Sequence, residues 1–213
     1  MAEEKTAATE IGAGSTVEGL SGVAAIVLAI IGLMGILSME LASVASIALG
    51  AGILVQGGML GARYTTFVNH PQSSYTDDTV LGGAALEVLA GIAGIVLGIL
   101  ALLGILPLTL LAVSAIALGG TLLLSGSSMA AMNSAKSRAP IEAVNESGLT
   151  AYTLYAASGL DVLAGAGAVV LGILALSGYF PLTLVLIALL GIGAFVLLSG
   201  TSLAMRFFGI FAR

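Results

Sequence analysis

Long apolar stretches separated by short polar ones dominate the chain. Residues 80–107 contain one charged side chain, Glu87, and residues 108–132 contain none. A helix needs about 20 consecutive apolar residues to cross the hydrocarbon core of a bilayer. Unbroken apolar runs indicate helices, because the strands of a membrane barrel alternate apolar and polar residues. The pattern predicts six membrane-spanning helices, near 19–39, 41–61, 81–104, 108–126, 152–176 and 182–205.

The chain also repeats itself. A shift of 69 positions places Glu18 on Glu87 and Gly22 on Gly91, and a further shift of 74 places Glu87 on Asp161. Self-similarity at such a period is the sequence signature of a tandem architecture. We therefore predict an all-α integral membrane protein, in which six transmembrane helices form three tandem helical hairpins with a pseudo-threefold repeat.

The repeats and the polar stretches between them predict the domain boundaries. The hairpin repeats occupy 18–61, 81–126 and 152–205, and two cytoplasmic connections lie at 62–80 and 127–151. A polar N-terminal segment covers 1–17, and a C-terminal tail covers 206–213. His70, the only histidine, falls in the first connection. It is interpreted as a solvated loop residue, with a pH-sensing role as the alternative.

Glycine and proline mark the turn inside each hairpin. Gly104 and Pro107 in the second copy align with Gly178 and Pro181 in the third. Glycine suits the left-handed residue that ends a helix, and proline suits the first turn of the next one. The first copy has Ser38 in place of the proline. Glu40, which follows it, is interpreted as a carboxylate favoured by the dipole at a helix N-terminus.

Small residues recur on one face of the predicted helices. Apolar burial contributes little to association between helices in lipid, so they associate through close packing that glycine and alanine permit. The predicted helix-packing residues are Gly91, Gly94, Gly98, Gly165 and Gly172. A ligand-binding glycine loop is the less favoured alternative, because no strand precedes these glycines.

The charge distribution predicts the orientation. Only 8% of the 213 residues are charged, and all six basic residues lie in the termini or the two connections: Lys5, Arg63, Lys136, Arg138, Arg206 and Arg213. Positive residues favour the cytoplasmic side. The prediction is a multi-pass protein of the inner (cytoplasmic) membrane with both termini in the cytoplasm. Six dispersed cations are too few to indicate a nucleic-acid partner.

A carboxylate opens each copy: Glu18, Glu87 and Asp161, each four residues before an aligned glycine. One interpretation places these acids at the headgroup level, where water and the helix dipole stabilise them. A second makes them a candidate ion or proton site near the cytoplasmic mouth of the bundle, since ionisable residues within a span are costly and usually functional. A third pairs them with another subunit.

The repeated pattern resembles a known family. In the second copy the resemblance is carried by Gly91, Gly98, Pro107, Gly119, Leu123, Leu124, Ser125 and Gly126, and in the third by Gly165, Gly172, Pro181, Gly193, Leu197, Leu198, Ser199 and Gly200. These residues are similar to the short repeat of the HdeD-type acid-resistance membrane proteins, which carry three such hairpins in six spans. The resemblance implies an inner-membrane protein linked to acid stress, and it implies no catalytic residues.

Two function classes remain after the motifs are considered. No serine, histidine and aspartate form a recognisable nucleophilic motif, and the chain has no cysteine, so we predict a non-enzymatic protein without cofactor or metal. The favoured hypothesis is a structural or stress-response component that packs through its glycine and alanine faces. Its predicted partners are the lipid bilayer and either further copies of the chain or other membrane subunits. The alternative is a small proton or cation channel or carrier that uses the repeated carboxylates.

Overall fold

The computed structural model describes the backbone of residues 2–67, 77–136 and 148–211, and the side-chain surroundings of residues 17–58, 85–124 and 162–199. His70 lies outside these ranges. Within them every regular element is an α-helix, and there is no strand. The six helices are α1 (Ala2–Leu33), α2 (Ser38–Phe67), α3 (Asp77–Leu102), α4 (Pro107–Lys136), α5 (Gly148–Leu176) and α6 (Pro181–Phe211).

Several helices extend beyond the predicted spans. Helix α1 begins at Ala2, inside the segment predicted as a polar extension, and α2 continues to Phe67, inside the predicted connection. Polar residues do not end a helix by themselves, and no proline occurs before Pro71. The predicted end of the first span at residue 39 was wrong. Helix α1 ends at Leu33, because Gly35 turns the chain there.

Four of the helices carry apolar stretches long enough to cross a membrane: Ser38–Gly58 in α2, Ala85–Leu102 in α3, Pro107–Leu124 in α4 and Pro181–Ser199 in α6. The apolar stretches in the described parts of α1 and α5, Val17–Leu33 and Val162–Leu176, are shorter. Apolar stretches of this length and composition are typical of a helical membrane protein. The chain is therefore a membrane protein built from helices.

The turns within the hairpins share one backbone geometry. Gly35, Gly104 and Gly178 have positive φ angles of 85°, 81° and 89°, the left-handed conformation that glycine adopts without a steric penalty. At Gly104 the turn is a complete Schellman motif, in which the Gly104 N–H donates to Ala101 O and the Ile105 N–H donates to Leu100 O. Helices α4 and α6 then begin at Pro107 and Pro181.

The hairpin turn of the first copy has a side-chain hydrogen bond in place of a proline. Ser38 occupies the position of the two prolines, and its hydroxyl donates a 2.7 Å hydrogen bond back to Gly32 O at the end of α1. Proline has no hydroxyl or N–H to make this bond. A side chain here replaces the conformational restriction that proline supplies in the other two turns.

The helices form a closed ring with a second layer of contacts inside it. Each helix packs on its neighbours in chain order, and α6 packs back on α1. The inner helices α2, α4 and α6 also contact one another. The outer helices α1, α3 and α5 make no such contacts among themselves in the parts that the structure describes. Each outer helix therefore fills a groove between two inner ones.

Burial follows this division into inner and outer helices. One continuous apolar core is formed largely by the inner helices, with Leu49, Leu118 and Ile192 fully buried at aligned positions. The outer helices instead expose large apolar side chains every three or four residues, as at Leu89, Ile92 and Val96 in α3. An apolar exterior of this kind suits contact with acyl chains rather than water.

Candidate functional site

The closest helix contacts join different copies of the repeat, and glycine makes them possible. At the contact of α2 with α3, a Cβ atom built on Gly50 would lie 2.7 Å from Gly91 O. A Cβ atom built on Gly91 would lie 2.7 Å from Gly50 O and 2.6 Å from Leu54 N. Both would collide with backbone that cannot move aside. The two helices therefore approach to a distance that only a residue without a side chain allows.

Repeat-equivalent glycines make the same reciprocal contact at two further places. Between α4 and α5, a Cβ atom on Gly165 would lie 2.5 Å from Gly119 O and 2.6 Å from Leu123 N. Between α1 and α6, a Cβ atom on Gly22 would lie 2.7 Å from Gly193 O and 2.6 Å from Leu197 N. We call these three contacts, α2–α3, α4–α5 and α1–α6, the seams.

The remaining glycines predicted for helix packing also lie at the seams. Gly98 faces Ser43 O of α2 at 3.0 Å from a built Cβ atom, and Gly172 faces Ala112 O of α4 at the same distance. A Cβ atom built on Gly94 would lie 3.2 Å from Gly50 Cα of α2 and 3.0 Å from the flexible end of Leu118 on α4. Gly94 therefore contacts both inner helices that flank α3.

Glu18 lies at the end of the α1–α6 seam. Its side chain is 2% exposed, and its Oε1 accepts a 2.6 Å hydrogen bond from Ser199 Oγ of α6. Ser199 Oγ is also 3.0 Å from Val196 O in its own helix. One turn after Glu18, Gly22 makes the close backbone contact of the seam. A carboxyl group is thus enclosed between the first and the last helix of the chain.

The structure does not gather the predicted acids at one place. Glu87 is buried as well, but it lies on α3, and α3 does not contact α1 within the described residues. The side chain of Asp161 lies outside the described residues. Among the side chains that the structure describes, no three His, Cys, Asp or Glu residues lie together as a metal site would require. Glu40, by contrast, is exposed in the first turn of α2.

Two buried serines connect the inner helices. Ser46 of α2 and Ser114 of α4 are fully buried, and their hydroxyl oxygens are 2.8 Å apart. Ser46 Oγ is also 3.1 Å from Gly94 O of α3, and Ser114 Oγ is 3.1 Å from Leu111 O. Each hydroxyl therefore has partners within the protein, as a buried polar group requires.

Buried apolar side chains of the inner helices belong to one core. Besides Leu49, Leu118 and Ile192, this core includes Ile53, Leu122 and Val196 at a second set of aligned positions, and these three are 4% exposed or less.

Sequence reasoning identified the outer helix of the α2–α3 and α4–α5 seams and neither side of the α1–α6 seam. Gly91, Gly98, Gly165 and Gly172 were predicted to pack. Of the glycines opposite them, Gly119 was recognised only as a repeat position, and Gly50 marked a packing face less clearly. Ser199, the partner of Glu18, was assigned to the repeat pattern without a role. The signal was present, because Gly50, Gly119 and Gly193 align across the copies just as Gly22, Gly91 and Gly165 do.

Comparisons of this chain with protein-family models, with curated proteins and with solved structures found no match.

Proposed function

We propose that this protein is a non-enzymatic structural component of the inner membrane, with six spans arranged as three hairpins about a pseudo-threefold axis. The observation that carries the proposal is the recurrence of one glycine contact at the three seams. A chain that repeats the same close contact around a ring makes a rigid, self-contained bundle. Both termini and the two long connections face the cytoplasm in this proposal, since they hold all six basic residues.

The filled centre favours a packing role over a pore. A channel through the bundle would need a polar or hydrated lining, whereas the core of the inner helices is built from buried apolar side chains such as Leu49, Leu118 and Ile192. The apolar surface of the outer helices suits lipid and, within the bilayer, further copies of the chain or other membrane subunits. The resemblance to the HdeD-type repeat suggests acid stress as the setting.

Survival after acid shock tests the stress role. In the host organism, we expect deletion of the gene to lower survival and expression of the wild-type chain to restore it. Expression of two alanine variants refines the test. Gly165→Ala disrupts a seam, and Gly167→Ala is its matched control, because a Cβ atom added there meets nothing within 4 Å. Rescue by Gly167→Ala but not by Gly165→Ala would link the stress role to the intact bundle. Equal survival with and without the gene would contradict that role.

A second candidate, a proton or cation channel or carrier, is favoured by one observation, the burial of Glu18 and Glu87. Flux across liposomes containing the purified protein separates the two candidates. The structural proposal predicts no proton or cation flux, either for the wild type or for the Glu18→Gln, Glu87→Gln, Asp161→Asn triple variant. Flux that the triple variant abolishes while it still folds would make the second candidate correct.

A further inference from the structure

Glu18 differs from an ordinary surface carboxylate in its surroundings. Its side chain is 2% exposed, and Ser199 Oγ donates to it at 2.6 Å. On one side the Gly22 contact brings the backbones of α1 and α6 together. Removal of a carboxylate from water is expensive unless a cation or several hydrogen bonds replace the lost solvation. The identity of the charged groups near Glu18 therefore decides its state.

No cation lies near Glu18 among the side chains that the structure describes. Residues 17–58, 85–124 and 162–199 contain no Lys, Arg or His, and their acids are Glu18, Glu40 and Glu87. Helix α1 packs on α6 and α2. The described part of α6 contains no titratable residue, and Tyr179 lies in the turn that precedes this helix. In the described part of α2 the titratable residue is Glu40. Both lie near the hairpin turns, far along the helices from Glu18.

The charged residues nearest along each helix lie further towards the termini and connections. They are Glu10 on α1, Arg206 on α6 and Arg63 on α2, whose side chains are outside the described ranges. Arg206 follows Ser199 by seven residues, about 10 Å along an α-helix at 1.5 Å per residue. An ion pair with Glu18 would have to bridge that separation.

The depth of Glu18 along α1 also favours a neutral carboxyl group. It precedes Leu33, the last residue of α1, by fifteen residues, about 22 Å of helix. The hydrocarbon core of a bilayer is about 30 Å thick. In the six-span arrangement proposed above, with the apolar hairpin turns at the far boundary of this layer, Glu18 lies within the layer, where an ionisable side chain is seldom placed without a function.

We propose that Glu18 and Ser199 form a proton-binding site in the α1–α6 seam, in which the neutral carboxyl group closes the ring between the first and the last helix. Ionisation of Glu18 favours opening of the seam, because the carboxylate then gains solvation outside it. Protons bound by the closed state and released by the open one stabilise the closed state at low pH. The inference rests on the proposed six-span arrangement for the depth of Glu18, and on the proposed role in acid stress for its physiological purpose.

Dicyclohexylcarbodiimide tests the protonation state directly. This apolar reagent adds a protonated carboxyl group across one of its C=N bonds, and the adduct rearranges to a stable N-acylurea without a further reactant. We expect mass spectrometry of the purified protein in liposomes at neutral pH to find the adduct on Glu18. Exposed Glu40 serves as the internal control for labelling at the protein surface, which the proposal predicts to be weaker than labelling of Glu18. Absence of the adduct on Glu18, with the chain folded, would overturn the proposal.

Ser199→Ala separates a proton site from a merely structural contact. Ser199 donates its hydrogen bond to Glu18, and a donor stabilises the ionised carboxylate more than the neutral acid. Its loss should therefore raise the pH at which labelling of Glu18 ceases. A labelling profile that does not change in Ser199→Ala would contradict the assigned pair.

The coupling of the proton to ring closure is tested with Glu18→Gln, which keeps the shape of the side chain but cannot ionise. We expect the resistance of the wild type to unfolding to decline as the pH is raised, and that of Glu18→Gln to decline less. An equal decline in both proteins would refute the coupling. These measurements use purified protein, so their failure leaves the acid-survival and flux results of the proposed function unaffected.

Discussion

The three seams share one glycine contact but differ in the residues that come after it along the outer helix. In α3 the seam positions are Gly91, Gly94 and Gly98. The aligned residues in α1 are Gly22, Ala25 and Ala29. A built Cβ atom on Gly50, opposite α3, lies 2.7 Å from backbone, whereas one on Gly193, opposite α1, has 3.1 Å to its nearest neighbour. The α1–α6 seam is thus looser on the side of its inner helix, whereas a Cβ atom on Gly22 or on Gly91 would lie 2.6 Å from backbone in either seam.

The α1–α6 seam also differs from the other two in which helices of the chain it joins. The α2–α3 and α4–α5 seams join helices that are consecutive in sequence, so a connection keeps the partners close. The α1–α6 seam joins the two ends of the chain and has no such connection. It combines a looser backbone contact with the hydrogen bond between Glu18 and Ser199. The closing seam therefore relies more on side chains than the α2–α3 seam does.

The largest effect is expected for alanine at a reciprocal glycine. Gly165→Ala would place a methyl group 2.5 Å from Gly119 O, and the helices would have to separate, at about 3 kcal/mol in the free energy of unfolding. Gly167→Ala, two residues along α5, should stay within about 1 kcal/mol of the wild type. Unfolding in mixed detergent micelles measures both. Equal stability of the two variants would contradict the seam.

A smaller effect is expected where the copies differ naturally. Gly98→Ala in α3 introduces the residue that α1 already has at position 29, but meets Ile47 Cγ1 at 2.7 Å and Ser43 O at 3.0 Å. We expect a loss of about 2 kcal/mol. Ala29→Gly in α1 removes a fully buried methyl group and should destabilise by about 1 kcal/mol. If Gly98→Ala stabilises the protein, the two seams do not differ as described.

The hairpin turns should respond in opposite directions to two neighbouring substitutions. Gly104→Ala forces a side chain into a φ of 81° and should cost about 1 kcal/mol or more. Leu106 already has a φ of 41° and is 71% exposed, so Leu106→Gly should relieve strain and be neutral or slightly stabilising. Thermal unfolding of the two variants in detergent measures the contrast. A turn that tolerates Gly104→Ala without loss would be inconsistent with the left-handed glycine.

The smallest effect is expected for the serine pair between the inner helices. A double-mutant cycle of Ser46→Ala and Ser114→Ala should give a coupling energy of about 0.6 kcal/mol, the average for hydrogen bonds between membrane helices. The value is modest because each hydroxyl has a backbone carbonyl nearby as an alternative partner. A coupling indistinguishable from zero would show that the pair does not join α2 to α4.

The sequence predicted the helical class and the positions of the turns from local chemistry. The glycines at 35, 104 and 178 end helices because of their conformational freedom, which can be recognised without a structure. The left-handed Leu37, Leu106 and Phe180 were not predicted, because leucine and phenylalanine carry no such preference. Their conformation is imposed by the need to start the next helix soon after the glycine.

Which helices meet could not be derived from the apolar pattern. The spans are apolar on nearly all sides, so hydrophobicity does not distinguish a lipid-facing side from a packed one. The same ambiguity placed Glu18, Glu87 and Asp161 near one another in the sequence hypothesis. In the structure Glu18 lies against α6, and Glu87 lies on a helix that does not contact α1 in the described residues. The repeat shows which positions are equivalent, but not which equivalent positions face each other.

The central claim, a ring closed by α1 and α6, is tested most directly by a disulfide across that seam. The chain has no cysteine, and a Cβ atom built on Gly193 lies 3.1 Å from Ala25 Cβ, close to the roughly 3.8 Å that a disulfide needs. Under oxidising conditions in membranes, Ala25→Cys with Gly193→Cys should form a bond within one chain, whereas Val23→Cys with Gly193→Cys should not, since Val23 faces outward. No bond in the first pair, or bonds only between chains, would contradict the closed ring.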